Sequence, residues 1–101
     1  MARLPYGYRP TGRFNGQRLP PEPDPELRPI VQRIFRDVRA GKTPGDIAKA
    51  LNAAGVVSPQ RGEWFPSTVR RIVSNDAYLR LPVIVTERTW SDAQHAISRQ
   101  E

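Results

Sequence analysis

The sequence predicts a small, mainly α-helical domain with a helix-turn-helix-like core, an N-terminal arm or β-hairpin, and a C-terminal docking helix. Two observations predict this fold. Apolar residues between Leu27 and Val38 recur at helical spacing. Residues 43–74 then contain a capped short helix, a glycine stop, a loop and a second short helix. At 101 residues the chain is long enough for one domain with a modest core.

Residues 1–26 are predicted to be an arm, a hairpin and a proline-rich linker. We expect Pro5–Arg9 to pair with Gly12–Phe14 as a small hairpin around Pro10–Gly12. The alternating prolines from Pro20 to Pro25 favour polyproline geometry, which predicts an extended linker. Tyr6 and Tyr8 are expected to pack this arm onto the helical body.

Residues 27–78 are predicted to form the core, beginning with a long helix. One continuous stripe carries its apolar side chains, Leu27, Ile30, Val31, Ile34, Phe35 and Val38. Because Pro29 would clash with a regular turn before it, the helix should begin near Pro29, and it should stop at Gly41. The arginines off the stripe are expected to be solvated.

The next helix has clear end signals. Thr43 is expected to be its N-cap, with Pro44 at the first position and Asp46 at the third. Gly55 is expected to supply a left-handed stop. The predicted inward side chains are Ile47, Ala50 and Leu51.

The third helix opens at Pro66 and should end at Asn75. Its apolar edge is predicted to be Val69, Ile72 and Val73. The polar side chains fall on the other side, Arg71 almost opposite the apolar edge and Arg70 and Thr68 flanking; the set is Ser67, Thr68, Arg70, Arg71 and Ser74. Trp64 and Tyr78 are expected to be packing residues of the core.

Residues 79–101 are predicted to form a short extended segment and a last helix. Pro82–Val85 is apolar and strand-like. Thr86 should cap the helix, and its predicted inward residues are Trp90, Ala93 and Ile97. His95 lies one position past this set and is assigned no role.

Charge favours an anionic partner. The chain has 16 basic and 10 acidic residues, a net charge of +6, and 14 of the basic residues are arginine. Arginine binds phosphates and base edges with a planar fork, although a GC-rich genome would also enrich arginine for codon reasons. Composition alone therefore favours neither a nucleic-acid-binding protein nor an ordinary basic protein over the other.

Other site classes find little support in the sequence. The absence of cysteine excludes disulfides and thiolate zinc sites, and a single histidine gives no basis for another metal site or a cofactor. No apolar run reaches membrane-span length and the first 20 residues have no signal-peptide core, so we expect a cytoplasmic protein.

The polar face of the third helix is the candidate DNA-binding site. We expect Arg71 to contact a base and Arg70 a phosphate, with Ser67, Thr68 and Ser74 beside them. Further phosphate contacts are expected from Arg61, Arg9, Lys42 and Thr43. The alternatives are a solvated helix face for the arginines and plain capping for Thr43. Catalysis by Ser67 or Ser74 is not expected, because no acid, histidine or metal ligand accompanies them.

An ordered set of short motifs resembles the recombinase domain of the large serine recombinases, the phage integrases and mobile-element resolvases. The set covers roughly residues 5–97 and consists of Pro5-Tyr6-Gly7-Tyr8, Ile30-Val31 with Ile34-Phe35 and Gly41, Ile47-Ala48 with Leu51-Asn52 and Gly55, Trp64 with Thr68-Val69-Arg70-Arg71-Ile72, Asn75 with Tyr78, and Val85-Thr86 with Trp90 to Gln94. Each motif is weak alone, but the order is specific.

The resemblance implies a module that binds double-stranded DNA and recognises part of an attachment-site half. In such proteins a catalytic domain carrying the serine nucleophile precedes, and a zinc ribbon often follows. Neither is present in this sequence, so we expect a DNA-binding domain and not an enzyme, either a fragment or a shortened relative, with a catalytic domain or recombinase protomers outside the chain as partners. The alternatives are a transcriptional regulator or accessory factor built on the same module, and a protein-interaction domain whose basic face binds an acidic partner.

Overall fold

The part of the chain that the structure describes contains five helices and four two-residue strands, joined by turns and loops. This structure, a computed structural model, describes residues 5–19, 21–59, 62–80 and 84–100. The strands are β1 (Tyr8–Arg9), β2 (Arg13–Phe14), β3 (Gln17–Arg18) and β4 (Glu22–Pro23). The helices are α1 (Arg28–Arg39), α2 (Pro44–Ala53), α3 (Pro66–Ser74), α4 (Ala77–Arg80) and α5 (Glu87–Gln100). The predicted mainly α-helical class is confirmed.

The N-terminal segment forms two nested antiparallel pairs, and the predicted pairing is wrong. β2 pairs with β3 across a turn at Asn15 and Gly16, whose φ angles are +52° and +77°. β1 pairs with β4, so residues 22–23 belong to a strand and are not only linker. The reason is that Asn-Gly favours the two positive φ angles of a type I′ hairpin turn, a stronger signal than Pro10–Gly12.

Helix α1 begins one residue before the predicted Pro29. The carbonyl of Asp24 accepts hydrogen bonds from the amides of Leu27 (3.1 Å) and Arg28 (2.8 Å), so a separate turn leads into the helix. Pro29 therefore occupies the first helical turn, where no amide donor is needed. Gly41, at φ +94°, follows the last turn as predicted.

Helix α2 has the predicted cap and stop, but one inward residue was misassigned. The amide of Asp46 donates to Thr43 Oγ1 (3.1 Å), and Gly55 has φ +70°. Ala48 is buried, whereas the predicted Ala50 is exposed. The reason is geometric: the buried face is a regular stripe at Pro44, Ile47, Ala48 and Leu51, and position 50 lies about 100° around the helix from its centre.

Helix α1 packs along α5, and α2 packs against α3. Apolar residues from every helix contribute to the core, and the buried set is Tyr8, Val31, Ile34, Phe35, Val38, Ile47, Ala48, Leu51, Trp64, Val69, Ile72, Val73, Tyr78, Ile84, Val85, Ala93 and Ala96. Trp90 and Ile97 pack at its edge, as predicted for α5. Of the segment 82–85, which was predicted to be strand-like, the structure describes only Ile84 and Val85. These two residues are buried and lie in a bend, and Pro82 and Val83 lie outside the described residues.

The segment Tyr6–Tyr8 binds the N-terminal strands to the helices. The Tyr6 ring meets Trp64 edge-on at a centroid distance of 5.4 Å, and Tyr8 lies 5.9 Å from Tyr78. The Tyr78 hydroxyl donates to the carbonyl of Tyr6 (2.6 Å). Burial raises the pKa of the Tyr6 hydroxyl to about 12, with a contribution from Asp24, and burial also raises the pKa of Tyr78. The predicted packing role of Tyr6 and Tyr8 is confirmed.

Gly7 between them leaves no space for a side chain. A Cβ at this position would lie 2.7 Å from Val31 Cγ2 and 3.1 Å from Ile84 Cδ1, and φ is +103°. We predict that Gly7→Ala lowers the free energy of unfolding by about 2–4 kcal/mol, from overpacking and a strained φ. Urea denaturation measures it.

Gly12→Ala is the matched control. Gly12 has a similar φ of +107°, but a Cβ added there would meet nothing within 4 Å, so only the backbone strain remains. We expect Gly7→Ala to be more destabilising than Gly12→Ala by about 1–3 kcal/mol. Equal losses would mean that contact with Val31 is unimportant.

The tyrosine pKa values predict that stability falls at alkaline pH. The unfolded chain releases these phenolic protons near the ordinary pKa of 10.0, whereas folded Tyr6 holds its proton until about 12. The stabilisation is therefore complete below pH 10 and is lost as the pH rises towards 12. The urea midpoint should therefore fall as the pH rises from about 10 to about 12.

Tyrosine-to-phenylalanine variants test the cause. Tyr6→Phe and Tyr78→Phe remove the ionisable proton, so the double variant should show a smaller alkaline decrease than the unsubstituted chain. An unchanged decrease in the double variant would assign the effect to other groups.

Candidate nucleic-acid interface

Helix α3 has one buried edge and one polar face. Val69 and Val73 are 0% exposed and Ile72 is 6% exposed, as predicted. Its exposed side carries two arginines and two serines, Ser67, Arg70, Arg71 and Ser74. The predicted orientation of this helix is therefore confirmed.

Thr68 does not belong to the polar face, and its predicted position there is wrong. Its side chain is 8% exposed. Thr68 precedes Ile72 by one helical turn, so it lies on the same edge and continues the buried surface towards the N-terminus of α3. Thr68 is therefore largely covered by the protein.

The burial of Thr68 also changes the centre of the polar face. With four buried positions, the point opposite the buried edge falls between Ser67 and Ser74. Arg70 and Arg71 then lie about 50° to either side of this point, so neither arginine points more directly away from the core than the other. The two guanidinium groups flank a pair of hydroxyl groups.

Arg70 and Arg71 make no ion pair with any residue in the described ranges, unlike several other basic residues. Arg9 pairs with Glu22 (2.8 Å), Arg39 with Asp92 (3.1 Å) and Lys42 with Asp37 (3.6 Å). The first turn of α3 also contains no acidic residue. The positive charge of this face is therefore not neutralised within the described chain.

The N-terminal end of α3 is fixed by Asn52 and Trp64. The Asn52 amide accepts from the backbone N–H of Trp64 (2.7 Å) and donates to the backbone carbonyl of Trp64 (3.0 Å). The Trp64 indole N–H donates to the carbonyl of Val56 (3.0 Å), and its ring is 1% exposed, as predicted for a core residue. Together these bonds join α2 and the loop after it to the start of α3.

The C-terminal end of α3 is bound by α5. Gln94 donates to the carbonyl of Val73 (2.6 Å), and the Trp90 indole N–H donates to the carbonyl of Asn75 (3.1 Å). These bonds satisfy carbonyl groups that a helix end leaves without partners. In the sequence, Asn52 and Gln94 are recognisable only as motif positions, because a bond between distant segments has no signature in local spacing.

The N-termini of α2 and α3 lie side by side. A Cβ added to Gly45 would be 3.9 Å from Pro66 Cγ, the distance of an ordinary contact. Thr43 is exposed at this end, where its hydroxyl caps α2. Both helix ends carry positive partial charge, which at α2 is partly offset by the carboxylate of Asp46 in its first turn. Lys42 lies beside them but is paired with Asp37.

Two of the predicted phosphate contacts are placed differently or not at all. Arg61 lies outside the described residues. Arg9 is half exposed and bonded to Glu22 across the β1–β4 pair, on the N-terminal strands. Exposed ion pairs of this kind stabilise by at most about 1 kcal/mol, so a phosphate group can compete for Arg9.

Other kinds of site have little support in the described chain. Within residues 5–19, 21–59, 62–80 and 84–100, no group of His, Asp or Glu side chains is arranged to hold a metal ion. None of the helices described here has the length and apolar character needed to cross a membrane. An open cavity of about 300 Å³ lies at the α1–α5 side, and no residue of α3 lines it.

Comparison with known proteins gives a family match. A family model described as Recombinase matches residues 25–79, which is more than half of the chain and extends from the turn before α1 into α4. No curated protein and no solved structure matches the chain closely enough to be counted as a relative. The N-terminal strands before residue 25 and helix α5 lie outside the matched region.

The bonds between Asn52 and Trp64 make a prediction about stability. Asn52→Ala removes both, leaving a buried N–H and C=O of the backbone without partners, so it should lower the free energy of unfolding by about 1–3 kcal/mol. Urea denaturation followed by tryptophan fluorescence measures it. The exposed residue Lys49 on the same helix provides the control, since Lys49→Ala should change stability by less than about 0.5 kcal/mol. A similarly small change for Asn52→Ala would show that these bonds do not fix α3.

Proposed function

The chain belongs to the Recombinase family, and from this premise we propose that it binds double-stranded DNA as the recombinase domain of a site-specific serine recombinase or integrase. Family membership supports a role in site-specific recombination. In the proposal, α3 recognises part of an attachment-site half. The observation that supports it is the polar face of α3. Arg70 and Arg71 are exposed there and make no ion pair within the described residues, and hydrogen bonds from α2 and α5 fix the two ends of this helix.

The dimensions of α3 suit a DNA groove. A nine-residue helix is about 14 Å long, and the major groove of B-DNA is about 12 Å wide and admits an α-helix. With Ser67 and Ser74 facing the bases, the flanking arginines reach to either side. Arginine binds guanine edges or phosphates, and serine hydroxyls accept or donate to either.

The packing of α2 distinguishes the two arginines. Arg70 lies one turn after Pro66, and the Pro66 ring lies beside Gly45 at the start of α2, 3.9 Å from where a Cβ of that residue would be. In a helix-turn-helix, the first helix crosses the DNA backbone while the second enters the groove. Arg70 is thereby assigned to a phosphate, together with Lys42 and Thr43, and Arg71 to a base edge.

The same proposal assigns this chain binding and not catalysis. Ser67 and Ser74 are exposed on a short helix, and no described histidine or acidic side chain is bonded to either. Activation of a serine hydroxyl requires such a base or an equivalent group. Strand cleavage would then be supplied by a catalytic domain or by recombinase protomers outside the chain.

Arginine-to-alanine variants test the assignment. A DNA site is first selected by the chain from random duplexes, and affinities are measured by fluorescence anisotropy. Arg71→Ala should weaken the selected site by about 1–3 kcal/mol and relax base preference at one position. Arg70→Ala should weaken all sequences alike and reduce the salt slope by about one unit.

Arg88→Ala is the control for charge, because Arg88 is exposed on α5 and away from α3 in sequence. It should change affinity much less than either α3 variant. If Arg71→Ala weakened every sequence equally, the base contact would be wrongly assigned. If the chain selected no sequence but bound acidic proteins through the same arginines, the proposed function would be wrong.

A further inference from the structure

Phe65 is an exposed aromatic residue at the N-terminus of α3. Its side chain is 51% exposed, whereas the neighbouring Trp64 is 1% exposed. Phe65 occupies the N-cap position with an extended backbone, φ −125° and ψ 156°, and its side chain makes no cap hydrogen bond. Only its carbonyl serves the helix, accepting from the amides of Thr68 (3.0 Å) and Val69 (3.2 Å).

Helix stability does not explain an aromatic residue here. Ser, Thr, Asp and Asn are the favoured N-caps because their side chains bond a free amide of the first turn, which phenylalanine cannot do. Core packing explains it only in part, since about half of the residue remains exposed. The exposed part of Phe65 is therefore available to a ligand.

The surroundings of Phe65 indicate what that ligand is. Pro66 and Ser67 follow it, Arg70 lies five residues further along the chain, and the N-terminus of α2 lies beside Pro66. The first turn of α3 has no acidic residue, and Glu63 is the acidic residue nearest to Phe65 in sequence. A matching partner must present an apolar group within an anionic surface, and the C5-methyl group of thymine in the DNA major groove is such a group.

We infer that the Phe65 ring contacts a thymine C5-methyl group and so determines sequence preference at the end of the site nearest the N-terminus of α3. The inference rests on the proposed function. Residues at the N-terminal end of a recognition helix are those that contact base edges. A phenylalanine there adds apolar discrimination to the polar contacts of Arg71.

The test removes the methyl group and the ring separately. In the duplex selected by the chain, each thymine is replaced in turn by deoxyuridine, which lacks only the C5-methyl group. At one position the unsubstituted chain should lose roughly fourfold in affinity, the effect of one buried methyl group. Phe65→Ala should lose affinity for the thymine duplex and show no further loss with deoxyuridine at that position.

Two variants control this experiment. Leu79→Ala removes another exposed apolar side chain, 42% exposed and beyond the C-terminal end of α3, and should retain the full response to deoxyuridine. Phe65→Leu keeps an apolar side chain and should retain part of the response, which preserves the test if Phe65→Ala unfolds. Circular dichroism establishes the folding of each variant.

The results separate the two proposals. If the chain selects a sequence but deoxyuridine has no effect at any position, or if the effects of deoxyuridine and Phe65→Ala simply add, the Phe65 contact is overturned while the proposed function stands. If Phe65→Ala lowers the affinity only together with a change in DNA bending, the ring inserts between bases and the methyl contact is likewise overturned. If the folded chain shows no sequence preference at all, the proposed function fails first.

Discussion

The pair of hydrogen bonds between the Asn52 side chain and the backbone of Trp64 joins α2 to the residue just before α3, the helix that carries the polar face. One amide group satisfies both backbone atoms of Trp64, and the buried indole ring then fixes the entry to α3. The outward position of Arg70 and Arg71 follows from this contact together with the burial of the opposite edge of α3.

The N-terminal strands complete the same anchor from the other side. Tyr6 packs edge-on against Trp64, its hydroxyl donates to the carbonyl of Val57, and Tyr78 donates to the carbonyl of Tyr6. Aromatic pairs in this geometry stabilise by roughly 0.5–1.5 kcal/mol beyond their buried area. The tyrosines that resemble a family motif are therefore explained by packing, and the same segment requires glycine at position 7.

Local sequence signals predicted most of the helices. Of the features that the sequence did not predict correctly, some follow from local signals that were outweighed and others from contacts between distant segments. The caps at Thr43 and Thr86, the stop at Gly55 and the edge of α3 each follow from a few adjacent residues. The N-terminal pairing was misjudged because Asn15-Gly16 prevails over the proline-containing turn. Ala48 and Thr68 lie on the buried faces that helical spacing assigns to α2 and α3, whereas the bond from Gln94 to Val73 joins residues that no periodicity relates.

The attachment of α5 to the carbonyls of Val73 and Asn75 has a consequence for where this folding unit ends. The family-model match ends at residue 79, yet the C-terminal end of α3 is bound by the side chains of Trp90 and Gln94. The segment that matches the family model is therefore shorter than the segment whose contacts stabilise α3. A polypeptide trimmed to the matched segment would hydrate both carbonyls and uncover the flank of α1 that faces Ala93 and Ala96.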